Sequence, residues 1–212
     1  MKMGKIISVV GNLGAGKTTL TKLLCEKGGF VPYWENPEER PFQAAFTEDM
    51  KRWALANQLD FLLFRCKQEY IARNRSEIAV MDGGLDQDFK VFTKNLHNKG
   101  FLDESEYSLC EHFYQYGRSI LPPPDLLIRI IIDVPTLLER RHLRGRKTVD
   151  EKFNPQAFTD LKRLLDNWLN NEVTTPVLPV PFEKDIQYYR KELDGVIKQI
   201  NSVLVKGKAL ER

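Results

Sequence analysis

No stretch narrows the possible folds of this chain as sharply as VVGNLGAGKTTL, residues 9–20. The pattern Gly11-x-x-x-x-Gly16-Lys17-Thr18 leaves an apolar run, Ile6-Ile7-Ser8-Val9-Val10, and opens a segment of helical period. That is the strand, loop and helix context in which a P-loop works. Its glycines let the backbone curl so that consecutive N–H groups converge on phosphate oxygens, and the helix N-terminus adds the positive end of its dipole. Gly11, Asn12, Leu13, Gly14, Ala15, Gly16, Lys17, Thr18 and Thr19 are therefore the expected triphosphate-binding residues. Lys17 is placed to bridge the β- and γ-phosphates and Thr18 to ligate Mg²⁺. The motif implies a nucleoside triphosphate and is silent on whether the chain is a kinase, a hydrolase or a switch.

The same strand-then-helix order recurs. KIISVV, FVPYW, EIAVMD, DLLIRIIID and TPVLPV read as five short strands, each followed by sequence of helical character. That order predicts an α/β fold of the P-loop NTPase type, in three layers: a five-stranded parallel sheet with helices on both faces. DLLIRIIID is apolar on both faces apart from Arg129, as a buried central strand would be. It runs into Asp133-Val134-Pro135, where Asp133 suits a helix N-cap and Pro135 the first helical turn. LPPPD, residues 121–125, stops one helix and leads stiffly into the fourth strand. With no internal repeat and no low-complexity linker, one domain over residues 1–205 is expected, and KGKALER, residues 206–212, reads as a frayed tail.

Lys+Arg 32 against Asp+Glu 29 leaves a net +3, too small an excess for a nucleic-acid footprint. Three scattered cysteines, Cys25, Cys66 and Cys110, carry no metal spacing and suit a reducing compartment, so a cytoplasmic location is expected. No window approaches the roughly 20 apolar residues a membrane span needs.

Past the second strand, Glu35 falls at the carboxyl edge of the sheet, where open α/β folds bind ligands and where a carboxylate could take a proton from an attacking hydroxyl. Gln58 and Arg65 lie seven apart on a helix face shared with Phe61 and Leu62, so either they recognise a ligand or they sit at the core rim with Arg65 reaching water. Arg140, Arg141, Arg144 and Arg146 bring several guanidinium forks together, suited to a transferring phosphoryl group or simply to a charged helix end.

These segments resemble the deoxynucleoside kinase family, especially its bacterial deoxyadenosine and deoxyguanosine kinase branch, over nearly the whole chain. Glu35 with Asn36-Pro37 stands for the family's Glu-Pro-Val, Pro41-Phe42 for Asn-Pro-Phe, and FTEDMKRWA for FYEDPKRWA; Gln58 and Arg65 follow. LPPPDLLIRIIIDVPTLLERRHLRGR looks like the fourth strand running into an arginine-rich lid of about residues 140–152. The resemblance implies ATP and Mg²⁺, a phosphoryl transfer to the 5′-hydroxyl of a deoxyribonucleoside, purine rather than thymidine, and a homodimer. It implies Glu35 as general base and metal helper, with Lys17, Asp82, Arg144 and Arg146 completing the catalytic set and Asp82 also organising the metal. It implies Gln58, Arg65 and Asp88 near the base, Thr47 beside the sugar, and Glu151 or Asp150 as the lid acid.

Two positions depart from the family pattern. MDGGLDQDF, residues 81–89, keeps the acid of the family's acid-Arg-Ser triplet as Asp82 but has Gly83 where the arginine belongs, and Thr47 replaces a tyrosine whose hydroxyl meets the sugar. Arg118 or a lid arginine is expected to fill the space opened by Gly83, and Asp86 to cap the next helix. A nucleotide-binding sensor that has lost catalysis, and a nucleoside monophosphate kinase, are the competing readings.

Overall fold

A computed structural model of the chain describes residues 3–36, 39–144, 155–181 and 186–206, with backbone alone at 140–144, 186–189 and 206. Five parallel strands form one sheet: β1 (Lys5–Val10), β2 (Val31–Tyr33), β3 (Ile78–Asp82), β4 (Leu126–Ile131) and β5 (Val177–Pro181), in the order β2-β3-β1-β4-β5. The strand that feeds the P-loop is thus central, with Val9 beside Asp82 of β3 on one side and Ile128 of β4 on the other. Both edge strands carry proline, Pro32 in β2 and Pro179 and Pro181 in β5. Proline has no N–H to offer a further strand, so the sheet stops there.

The two-residue period of the strands builds two cores. Ile7, Val9, Val80, Ile128 and Ile130 face α1 (Lys17–Gly28), α7 (Val134–Arg144) and α9 (Ile186–Lys206), meeting Leu20, Leu24, Leu137 and Ile200. On the other face Val10 and Leu127 meet Leu161, Leu165 and Trp168 of α8 (Pro155–Asn171), while Ile6, Ala79 and Met81 pack on Ala72 of α3 (Met50–Arg73). Each such aliphatic side chain taken out of water contributes about 1.5–3 kcal/mol, and helices on both faces leave no strand in the middle half-solvated.

The remaining helices are α2 (Gln43–Glu48), α4 (Leu85–Gln87), α5 (Lys94–Asn98) and α6 (Glu104–Ile120). Between α4 and α5 the backbone widens into a π-helical stretch, Asp88–Thr93. Local chemistry sets several starts. The Asp49 carboxylate accepts from the Arg52 N–H at the head of α3, and Asp103 and Glu106 form a reciprocal capping box on α6. β4 ends at Ile131, two residues short of Asp133, which caps α7 by accepting from the Thr136 N–H at 2.7 Å. Those hydrogen bonds from Thr136 hold the Asp133 carboxyl below its ordinary range. Arg129, the polar interruption of β4, pairs with Asp166 of α8.

Candidate active site

The P-loop is shaped by its own glycines. Gly16 sits in the left-handed region at φ 99° as the N-cap of α1, a conformation that favours a residue without a Cβ, and it has no side chain to compete with a ligand for the open N–H groups. The Ala15 N–H donates to the Asn12 carbonyl across the turn. Asn12 is locked from both ends, its Nδ2 donating to the Phe158 carbonyl at 2.8 Å and its Oδ1 accepting from the Leu13 N–H at 2.8 Å. Lys17 Nζ bends over the loop and donates to the carbonyls of Gly11 and Asn12 at 3.2 and 3.1 Å. Thr19 lies in the first turn of α1.

Thr18 Oγ1 donates to Asp82 Oδ2 at 2.6 Å, joining the start of α1 to the end of β3. A hydroxyl beside a carboxylate at a phosphate-binding turn is a donor set suited to Mg²⁺, which is held by one or two carboxylates together with substrate phosphates. Among the described residues no cluster of three His, Cys, Asp or Glu forms a self-sufficient metal cage.

Across the strand edge lies a buried ion cluster centred on Arg65, which is 0% exposed. Its Nη2 donates to Glu35 Oε2 at 2.9 Å, its Nε to Asp88 Oδ2 at 2.8 Å and its Nη1 to Gln68 Oε1 at 3.1 Å. Gln68 in turn donates to the Trp34 carbonyl at 2.7 Å, pinning the backbone just before Glu35. Burial works against the charge of Arg65, yet Asp88 and Glu35 outweigh it and hold its pKa above the ordinary arginine value. Burial pushes the Glu35 pKa up; Arg65 opposes that push, Asp88 adds to it, Lys17 opposes it and Asp82 adds again. A carboxyl raised in this way titrates closer to neutrality, as a general base should.

Gly83 owes its place to this cluster. At φ 88° it is in the left-handed region, and a Cβ there would lie 2.6 Å from Arg65 Nη2 and 3.6 Å from Glu35 Oε2. The guanidinium beside Gly83 is therefore that of Arg65, which corrects the expectation of Arg118; the alternative, a lid arginine, lies outside the described residues. Arg118 is engaged elsewhere, donating to both carboxylate oxygens of Glu69 and both of Asp86. Asp86 also accepts from Tyr114 Oη at 2.8 Å, so it does not cap α4, whose N-cap Gly84 makes no side-chain bond. Nor does Arg65 reach water at the core rim.

Gln58 is buried, with its Oε1 2.9 Å from the Thr93 hydroxyl, which lies equally close to the Asp88 carbonyl. The π-helical stretch thereby carries Asp88 toward Arg65 and Thr93 toward Gln58. Thr47 sits in α2 with its hydroxyl donating to the Gln43 carbonyl at 2.9 Å. Arg146, Asp150 and Glu151 lie outside the described residues, as do the side chains of Arg140, Arg141 and Arg144.

Comparisons with known proteins place this geometry. The family model described as Deoxynucleoside kinase matches residues 7–205. The chain belongs to the deoxynucleoside kinase family. It is a phosphotransferase with an alcohol acceptor, and a family of kinases implies ATP as phosphate donor. This kinase is 27% identical over 202 residues to the deoxyadenosine/deoxycytidine kinase of Bacillus subtilis, covering 94% of this chain and 93% of that protein. It is 24% identical over 215 residues to the deoxyguanosine kinase of the same organism, covering 97% and 100%. A solved deoxyadenosine kinase from M. mycoides, with products dCMP and a flexible dCDP bound, superposes with a TM-score of 0.79 at 25% identity, covering 93% of this chain and 99% of that one.

Three buried residues of this kinase escaped the sequence reading: Gln68, Gln87 and Thr93. Each pairs with a partner at least 34 residues away in the chain, respectively Trp34, Gly11 and Gln58. Arg65, one helical turn before Gln68, and Asp88, directly after Gln87, were the nearby signals.

Proposed function

We propose that the kinase transfers the γ-phosphoryl group of ATP to the 5′-hydroxyl of a deoxyribonucleoside, a purine deoxyribonucleoside first among them. The observation that carries this reading is Arg65, whose guanidinium joins Glu35 to Asp88 beside the Thr18–Asp82 pair at the mouth of the P-loop. Glu35 accepts the proton of the attacking hydroxyl, and Arg65 holds its carboxylate in place through one oxygen. Lys17 leaves the loop carbonyls to bind the β- and γ-phosphates, while the loop from Gly11 to Thr19 cradles them with the N–H groups that Gln87 and Asn12 do not hold. Thr18 and Asp82, with Glu35, are the groups that would hold Mg²⁺, which neutralises phosphate charge when bound. Gln58 and Asp88 hold the base, Thr47 stands on the sugar side, and Arg144, Arg146 and Glu151 act from the lid.

Purine preference draws on the relatives, named for deoxyadenosine/deoxycytidine and deoxyguanosine in Bacillus subtilis. We further propose that residues 1–205 fold as one domain and that the kinase is a homodimer. Leu63 and Tyr70 of α3 and Leu109, Tyr116 and Ile120 of α6 are exposed large apolar side chains on two helices that pack together, the kind of residues a second copy covers. The three cysteines are free, two of them with thiols pushed up to about 11 and Cys110 to about 12 by burial, in keeping with a cytoplasmic protein. Among the described residues no helix is long and apolar enough to cross a membrane.

An assay with radiolabelled ATP across the common deoxy- and ribonucleosides tests the reading. A labelled 5′-monophosphate from deoxyadenosine or deoxyguanosine is expected; tight ATP binding without product from any nucleoside overturns it in favour of a sensor.

A further inference from the structure

The segment from Asp82 to Asp88 touches both halves of the site. On one flank Gly83 and Asp88 meet the Arg65 cluster. On the other, the side chain of Gln87 folds back onto the first residue of the P-loop. The Gly11 N–H donates to Gln87 Oε1 at 3.1 Å, and Gln87 Nε2 donates to the Gly11 carbonyl at 2.8 Å. A side-chain amide and a main-chain residue thus form a closed pair across 76 positions of sequence. Gln87 is 1% exposed, so water does not stand in for either bond. Only an amide matches both groups: a carboxylate has no donor for the carbonyl, and an aliphatic chain has neither partner.

The Gly11 carbonyl is also one of the two that receive Lys17 Nζ. When Lys17 turns to a phosphate, Gln87 keeps that carbonyl satisfied and the loop keeps its shape. We propose that Gln87 is a positioning residue for the P-loop, tying the phosphate-binding turn to the segment that carries Asp88, so that the two halves of the site are held as one body. The roles of those halves rest on the function proposed above; the tie itself does not. Thr18 to Asp82 is a second link between the same segments, but it is only part-buried, with Thr18 exposed, whereas both bonds of the Gln87 pair are buried.

The test compares the full chain with Gln87→Met, which keeps length and volume and removes both hydrogen bonds. Amide hydrogen exchange on the ligand-free proteins reads the loop directly. Exchange over residues 11–16 is expected to accelerate several-fold in the variant, with α6 and α9 unchanged. Calorimetric titration with a non-hydrolysable ATP analogue and Mg²⁺ is expected to show affinity falling roughly tenfold, the scale of one or two lost neutral hydrogen bonds. Unchanged exchange in the loop, or acceleration spread evenly over the chain, overturns the proposal and leaves Gln87 a packing residue. If the parent chain binds no triphosphate, the proposed function falls, while the exchange comparison still decides the role of Gln87.

Discussion

Two arginines in this kinase, Arg65 fully buried and Arg118 partly buried, do the same electrostatic work with different results. Arg118 holds Glu69 and Asp86; Arg65 holds Glu35 and Asp88, and the two aspartates are two residues apart. Around Arg118 every carboxylate oxygen is used, and Tyr114 adds a further donor to Asp86. Around Arg65, among the described residues, Glu35 and Asp88 are each engaged through a single oxygen. A saturated cluster can only hold α3, α4 and α6 together. An unsaturated one keeps acceptor capacity for a substrate while fixing where that capacity points. Buried charges are costly unless paired, so the half-satisfied cluster is in keeping with the catalytic role proposed for it.

Removing each arginine breaks the comparison most severely. Arg65→Met and Arg118→Met each leave buried carboxylates without their cation, a loss of about 3–5 kcal/mol, which lowers Tm by about 6–20 °C for a chain of this size. Only Arg65→Met is expected also to lower kcat in the folded protein; calorimetry beside steady-state kinetics at a temperature where both variants are folded checks this, and equal kcat in the two variants would erase the distinction. Glu35→Gln comes next, cutting turnover by about 10²–10⁴ with triphosphate affinity preserved; unchanged turnover removes Glu35 as the base.

Gly83→Ala is a smaller perturbation. Its Cβ meets Arg65 Nη2 at 2.6 Å in a left-handed backbone, a strain of about 1–3 kcal/mol. The long side chain can swing away, so the fold is expected to persist while kcat/KM falls; a variant as active as the parent would show that the Arg65–Glu35 contact is dispensable.

The smallest effect concerns pH. Burial raises the Glu35 pKa above the ordinary glutamate value of 4.5, so with Glu35 as the proposed base the acid limb of the kcat/KM profile is expected above that value. The stability sign runs the other way. A raised folded-state pKa favours the protonated protein, and that contribution fades as pH rises through the folded pKa. The Tm of Glu35→Gln relative to the parent is therefore expected to increase between pH 4 and pH 8; a constant difference would mean that Glu35 has an ordinary pKa.

Much of the architecture was legible beforehand because its causes are local. Short apolar runs followed by helical sequence, a Gly-rich turn before a helix and Asp133 ahead of Val134-Pro135 each declare themselves within a few residues. Asp86 misled for the same reason: an acid before a helix reads as a cap, but Arg118 and Tyr114 arrive from α6, some 30 positions on, and claim it. Gly83 misled in the opposite sense. Its missing side chain looked like a gap, and the space belongs to a residue 18 positions earlier.

Local pattern therefore settled the strand and helix alternation, the P-loop and the choice of Glu35 and Arg65 as residues of interest, and the family resemblance added Asp82 and Asp88. Only packing decided which arginine stands beside Gly83, which carboxylates are saturated, and that Gln87 grips Gly11. The physical reason is distance along the chain. Propensity and periodicity act over one or two turns, whereas buried polar groups must find partners wherever the sheet brings them, and nothing near them in sequence records who those partners are.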